Sequence, residues 1–248
     1  MKIVILTALG VGGATLLGAV IGLVFKKTGK GFADGALSFA AGVMLVAAML
    51  GLILPSINYG GKYGIIICIS GIFIGAICVN LLDLWLLRVF NKRLCFSDSG
   101  TGDRIRRVLL FVTVIGIHNL PEGVAAGVGF GTDDPMGGVF IATAIALQNI
   151  PEGMAVIVAM LGVGMKKSRT FFLAAITGMV EIVGTFIGYF AVNLSEKLLP
   201  FALAFAGGNM LYVIADEMIP SSHAEDNKWP TYFILVGFSI MLILNEII

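Results

Sequence analysis

Ile117-His118-Asn119-Leu120-Pro121-Glu122-Gly123 recurs, 30 positions later, as Leu147-Gln148-Asn149-Ile150-Pro151-Glu152-Gly153. Each copy lies near the middle of an apolar run long enough to cross a bilayer. Glu181, in Met179-Val180-Glu181-Ile182, is equally central in the run that follows. A charged side chain at the centre of a spanning helix costs about 2.5–3.5 kcal/mol on insertion scales. The sequence puts no Lys or Arg at that depth to neutralise the three glutamates. A cation or protons must do so.

The surroundings of the motif fix the class. The 248 residues are 58% hydrophobic and 12% charged, with a mean hydropathy of +1.01. A soluble domain is about 45–50% apolar and about 25% charged, so a soluble fold is excluded. Roughly 20 apolar residues cross a hydrocarbon core about 30 Å thick. On that scale the chain divides into Ile3–Phe25, Phe32–Leu54, Tyr63–Leu87, Ile105–Gly129, Gly138–Val163, Phe171–Asn193, Pro200–Ile219 and Tyr232–Ile248. The expected fold is an all-α bundle of eight transmembrane helices, one domain over residues 1–248, with the polar cluster between spans four, five and six. The first run begins Met1-Lys2 but is too long for a signal-peptide core and shows no clear small-residue cleavage site before Lys26, so it reads as a mature helix.

Basic residues set the expected orientation. Lys26, Lys27 and Lys30 lie in the first loop, and Arg88, Lys92, Arg93, Arg104, Arg106 and Arg107 in the third. Lys166, Lys167 and Arg169 follow in the fifth, and Lys228 in the seventh. Thirteen of the 16 basic residues therefore fall on odd-numbered loops, leaving Lys2, Lys62 and Lys197 opposite, with Asp133 and Asp134. Positive-inside bias puts the odd loops in the cytoplasm and both termini outside a cell membrane. The basic third loop has no interleaved aromatics and reads as an orientation signal, not a nucleic-acid site. Cys68, Cys78 and Cys95 have neither metal-site nor redox spacing and read as packing residues.

Helical spacing sharpens the chemistry. His118 and Glu122 are four apart and share a face, with Asn119 three from Glu122 on the same arc. Gln148, Asn149 and Glu152 repeat the arrangement. Pro121 and Pro151 cannot bond the carbonyls of Ile117 and Leu147, so a kink beside the cluster is expected. Broken backbone at membrane depth is tolerated where it lines a cavity or is buried in protein. An imidazole with carboxylates and amide oxygens suits Zn²⁺, and also Fe²⁺, Mn²⁺ or Cd²⁺; the lack of a nearby thiolate argues against Cu⁺.

At these residues the chain resembles the ZIP (Zrt/Irt-like) family of metal transporters, which carry His-Asn-x-Pro-Glu-Gly in the fourth span and a related Pro-Glu-Gly motif in the fifth. Gln148, where many members have His, resembles the GufA-type branch. The resemblance covers essentially the whole chain. It implies a two-metal site, one metal held by His118, Glu122, Gln148, Glu152 and the thioether of Met44, the other by Asn119, Glu122, Asn149, Glu152 and Glu181. It further implies transport of a divalent ion into the cytoplasm by an elevator-like movement carrying spans four and five, with no organic cofactor and no enzymatic activity. The expected partners are divalent metal ions and membrane lipid, with a homodimer as the one protein partner considered and no nucleic acid.

Two rivals stand at this point. An intramembrane metallohydrolase needs His-Glu-x-x-His, which is absent. A secondary transporter in which the glutamates carry protons and no metal binds remains open. Among other polar positions, Asp216 and Glu217 read by default as a solvated end of span seven, with an exit route through them and His223 as the sharper alternative. Asp83 and Glu246 read as span-end residues. Gly18 and Gly22, Gly71 and Gly75, and Gly184 and Gly188 read as small pairs for close helix packing.

Overall fold

In hydrocarbon every backbone N–H and C=O must be satisfied within the chain, so apolar runs of this length become helices. The computed structural model describes residues 1–24, 30–93, 101–131, 135–194, 196–223 and 228–247. The long helices are α1 (Lys2–Val24), α2 (Lys30–Val46), α3 (Gly64–Arg93), α4 (Thr101–Gly129), α5 (Pro135–Gly162), α6 (Lys167–Leu194), α7 (Leu199–Val213) and α8 (Trp229–Ile247). All regular structure among the described residues is helical, and seven of the spans there meet the length and hydropathy needed to cross a bilayer. The remaining one, α4, has 29 residues, a rise of about 43 Å at 1.5 Å per residue. Lys26, Lys27, Cys95, Asp133, Asp134, Glu225 and Asp226 lie outside the described residues.

Three of the expected spans appear with later ends: the second continues past Leu54 to Tyr59, the third past Leu87 to Arg93 and the seventh past Ile219 to Ser222. Both motif helices stay helical through Pro121 and Pro151. Widened, π-helical turns follow directly on α2 and α7, at Ala47–Ile53 and Ile214–Met218. Each of these precedes a proline. The N–H of Leu54 reaches back five residues to the Met49 carbonyl, and that of Ile219 to the Ile214 carbonyl. Pro55 and Pro220 follow directly. Proline lacks an N–H and crowds the carbonyl four residues back; a wider turn accommodates both defects.

The helices pack as two groups. In the first, α4 lies along α6, and α1 along α5 and α6; in the second, α3 lies along α7 and α2 along α8. Across the groups, α2 meets α5 and α7 meets α4. Glycines bring the backbones together. A Cβ at Gly18 would strike the Ile150 carbonyl, at Gly75 the Phe205 carbonyl, at Gly188 the Val124 carbonyl and at Gly237 the Phe39 carbonyl. The three glycine pairs expected from the sequence all sit against neighbouring helices. Between α5 and α6 the chain turns at Gly164, φ +84°. Its N–H bonds the Leu161 carbonyl and that of Met165 the Met160 carbonyl, closing the helix end.

Large apolar side chains face outward on α3, α6 and α8: Ile66, Phe73, Leu81, Phe172, Met179, Tyr232 and Ile243 are all exposed. That is the surface a lipid-facing bundle needs. Trp85 and Trp229, both exposed, mark the odd-loop ends of α3 and α8, where amphipathic rings settle at headgroup level.

Gly127 tests the packing. Its missing Cβ leaves room for the Thr185 carbonyl, whereas Gly10 has open space beside it. Gly127→Ala should destabilise the detergent-solubilised protein by about 1–3 kcal/mol, read as a lower melting temperature. Gly10→Ala should leave it unchanged or slightly raised.

Candidate metal centre

Glu181 is fully buried on α6 and collects donors from three other helices. Its Oε1 accepts from the Thr15 hydroxyl of α1 at 2.7 Å and from the Asn119 amide of α4. Its Oε2 accepts from the Asn149 amide of α5 at 2.7 Å. The same Asn149 nitrogen donates to the Val11 carbonyl at 3.2 Å. The glycine of each motif copy makes this convergence possible. A Cβ at Gly123 would meet the Glu181 carbonyl, and one at Gly153 the Thr15 carbonyl, so each motif helix approaches a partner backbone one residue after its glutamate.

With the amide nitrogens spent on Glu181, the amide oxygens are left over. Asn119 Oδ1, Asn149 Oδ1, Glu122 Oε2 and both amide atoms of Gln148 are buried without a hydrogen-bond partner. A buried polar atom left unpaired costs about 1–3 kcal/mol. Four of these five atoms are oxygens, and oxygen lone pairs facing inward are what a hard or borderline cation binds. Among the described residues, no Lys or Arg pairs with Glu122, Glu152 or Glu181.

His118 is directed to a second acidic group. Its Nε2 lies 3.0 Å from Asp83 Oδ1 of α3, and its Nδ1 lies 3.1 Å from Glu217 Oε2 on the widened turn of α7. One ligand atom from each of these three residues falls within 4.8 Å of the others, the spacing of a metal trio. Asp83 is therefore no snorkelling span-end residue, and Glu217 is no merely solvated one; both turn inward because α3 and α7 pack against α4. Of the other exit candidates, Asp216 accepts from the Tyr212 hydroxyl at 3.2 Å. His223 bonds the Ile219 carbonyl at 3.0 Å and the Thr231 hydroxyl at 3.1 Å, tying α7 to α8.

A cavity of about 60 Å³ joins the groups, lined by His118, Glu122, Glu152, Glu217 and apolar residues including Leu37 and Val213. It lies on the odd-loop side of the motif, reaching Ser221. A second cavity of about 370 Å³ opens on the even-loop side between Asn58, Tyr59, Met136 and Asn245. Between the two, α4 contributes Ala125, Ala126 and Val128 and α5 contributes Ala144 and Ile145, all buried in the main apolar core. From Glu122 to Gly129, which lines the second cavity, is seven residues, about 10 Å of helix.

Of the residues expected at the site, His118, Glu122 and Glu152 share the smaller cavity, with Glu152 half-buried. Asn119, Asn149 and Glu181 form the hydrogen-bonded cluster, and Gln148 is buried beside its helix neighbour Asn149. Met44 is fully buried in the apolar core with Ala41 and Ala48. The sequence reading missed Asp83, Glu217 as a partner of His118, and Thr15. Asp83 carried a signal: a lone carboxylate among Leu81, Leu82, Leu84 and Trp85.

Comparison with known proteins gives a consistent result. Residues 95–245 match the family described as ZIP Zinc transporter. The chain is 40% identical over 178 residues to zinc transporter GufA of Myxococcus xanthus, covering 71% of this chain and 69% of that protein. It is 32% identical to zinc transporter ZIPB of Bordetella bronchiseptica over 94% of this chain and 77% of the other. To zinc transporter ZIP11 of Homo sapiens it is 28% identical over 94% of this chain and 93% of the other.

The unpaired oxygens predict metal-dependent stability. Zn²⁺ or Cd²⁺ at 100 times its dissociation constant should stabilise the purified protein by about 2.7 kcal/mol, seen as a raised melting temperature. Glu122→Ala should abolish most of that rise. An unchanged melting temperature in saturating metal would leave those oxygens without a cation.

Proposed function

The chain belongs to the ZIP family of metal transporters, and from that premise we propose that it carries divalent metal ions, zinc foremost, across the membrane into the cytoplasm. It is a multi-pass membrane protein of a family of transporters, not of enzymes. The observation that carries the reading is the set of buried oxygens on Asn119, Asn149, Glu122 and Gln148 that have no partner of their own. A proton relay would need carboxylates alone; amide oxygens without donors favour a cation.

We assign two metal positions bridged by Glu122 and Glu152. His118, Gln148 and Met44 complete one, and Asn119, Asn149 and Glu181 the other. Cd²⁺, Fe²⁺ and Mn²⁺ fit the same donors. Cavity placement and charge support the inward direction: the cavity at His118 and Glu217 lies on the side of the Lys- and Arg-rich loops, which the positive-inside bias makes cytoplasmic. Asp83 and Glu217 then act as the first receivers of an ion leaving the motif. The imidazole of His118 stands between the two sets, four residues from Glu122 on its own helix and within hydrogen-bond reach of both acids.

The apolar layer of Ala125, Ala126, Ala144 and Ile145 separates the site from the even-loop cavity. Movement of α1, α4, α5 and α6 as one body against α2, α3, α7 and α8 would open that side, which is an elevator-like carrier step.

Zinc uptake into proteoliposomes tests the proposal. Glu152→Ala should lower the flux at least about tenfold, whereas Glu217→Gln should slow it less and leave zinc-induced stabilisation in place. Equal uptake by parent and Glu152→Ala would defeat the assignment.

A further inference from the structure

Threonines inside helices commonly return the hydroxyl to a carbonyl one turn back. Thr113, Thr170 and Thr185 do so to Leu109, Lys166 and Glu181, and Thr177 does so to Ala174. Thr15 behaves differently. It is buried on α1, yet its hydroxyl crosses to Glu181 Oε1 of α6 at 2.7 Å. The carbonyl one turn back, Val11 O, takes the Asn149 amide of α5 at 3.2 Å. The helix thus offers the site one donor and one acceptor, a turn apart, instead of joining them to each other.

This exchange settles the Asn149 amide. Its nitrogen faces the Val11 carbonyl, which can only accept, as well as the Glu181 carboxyl group, so the NH₂ must point there. The oxygen is thereby turned the other way, where it is buried and unpaired. Glu181 is fixed by the same helix: Thr15 and Asn119 share one oxygen and Asn149 holds the other. The backbone of α1 is held in place for this task. Gly153 packs on the Thr15 carbonyl, Gly18 on the Ile150 carbonyl and Gly12 on the Gly178 carbonyl.

We propose that Thr15 is a positioning residue of the metal site: its hydroxyl holds Glu181, and together with the Val11 carbonyl it sets which way the Asn149 oxygen faces. The role rests on the transport reading above and deepens it, because α1 carries no residue of the duplicated motif. Removing the hydroxyl frees Glu181 to rotate and to compete for the asparagine amides. Metal binding weakens as a result, while the bundle itself is preserved, since valine fills the volume of threonine.

The test is zinc uptake into proteoliposomes by the parent, Thr15→Val and Thr15→Ser, with melting temperatures measured with and without Zn²⁺. Thr15→Val should raise KM about five- to tenfold with maximal rate within about twofold of the parent, as expected when an interaction common to ground and transition states is lost. Thr15→Ser should restore KM to within about twofold. The zinc-induced rise in melting temperature should shrink in Thr15→Val and persist in Thr15→Ser, each rise taken against that variant's own metal-free value, which for Thr15→Val lies below the parent's. Thr15→Ala supplies the same comparison if the valine variant does not assemble. A parental KM in Thr15→Val, or a serine variant as impaired as the valine one, overturns the role of Thr15 alone. A parent that neither takes up zinc nor is stabilised by it overturns the transport reading as well.

Discussion

A carboxylate in hydrocarbon has to be matched by something, and this chain places Glu122, Glu152 and Glu181 deep in a bundle with no Lys or Arg paired to them among the described residues. Each local feature of the site answers that demand. Glu181 is met by a hydroxyl and two amides drawn from α1, α4 and α5. His118 is met by Asp83 and Glu217. Glu122 is left with an unpaired oxygen. Hydrogen bonds to ionised groups are the stronger kind, so the cluster around Glu181 also holds its four helices in one arrangement.

The close approach on which these bonds depend is a matter of missing side chains. Without hydrophobic force between helices in lipid, association relies on backbone proximity and polar contacts. The motif combines the two: its glutamate supplies charge, and the glycine after it supplies the space that brings a neighbouring backbone within reach. Replacing the glycine would move the helix carrying the glutamate, so packing and coordination are not separable at Gly123 and Gly153.

Much of this was legible in the sequence. The apolar runs gave the spans, the repeat marked two helices that converge on Glu181, and glycine pairs such as Gly71 and Gly75 marked tight interfaces that the helices indeed form. What was not legible depends on tertiary contacts. Asp83 and Glu217 lie 35 residues before and 99 residues after His118 in the chain, and nothing in their local spacing points to an imidazole. Thr15 stands in the sequence between glycines and leucines with no motif around it, because the crossing of its hydroxyl to Glu181, and of the Asn149 amide to Val11, exists only once α1 meets α5 and α6. The motif prolines were expected to kink their helices; both helices continue through them, and the widened turns lie ahead of Pro55 and Pro220, outside the motif.

The widened turn at Ile214–Met218 changes what α7 can face. A single residue added to an α-helix rotates everything after it by about 100°. Ahead of the turn, Gly207 and Gly208 keep α7 seated on Ile53 and Ile72; within it, the widened spiral turns Glu217 toward the imidazole of α4. One helix thus serves two unrelated neighbours whose azimuths a regular spiral would not satisfy together, and a one-residue deletion in that turn would bring the seam and the acid back into conflict.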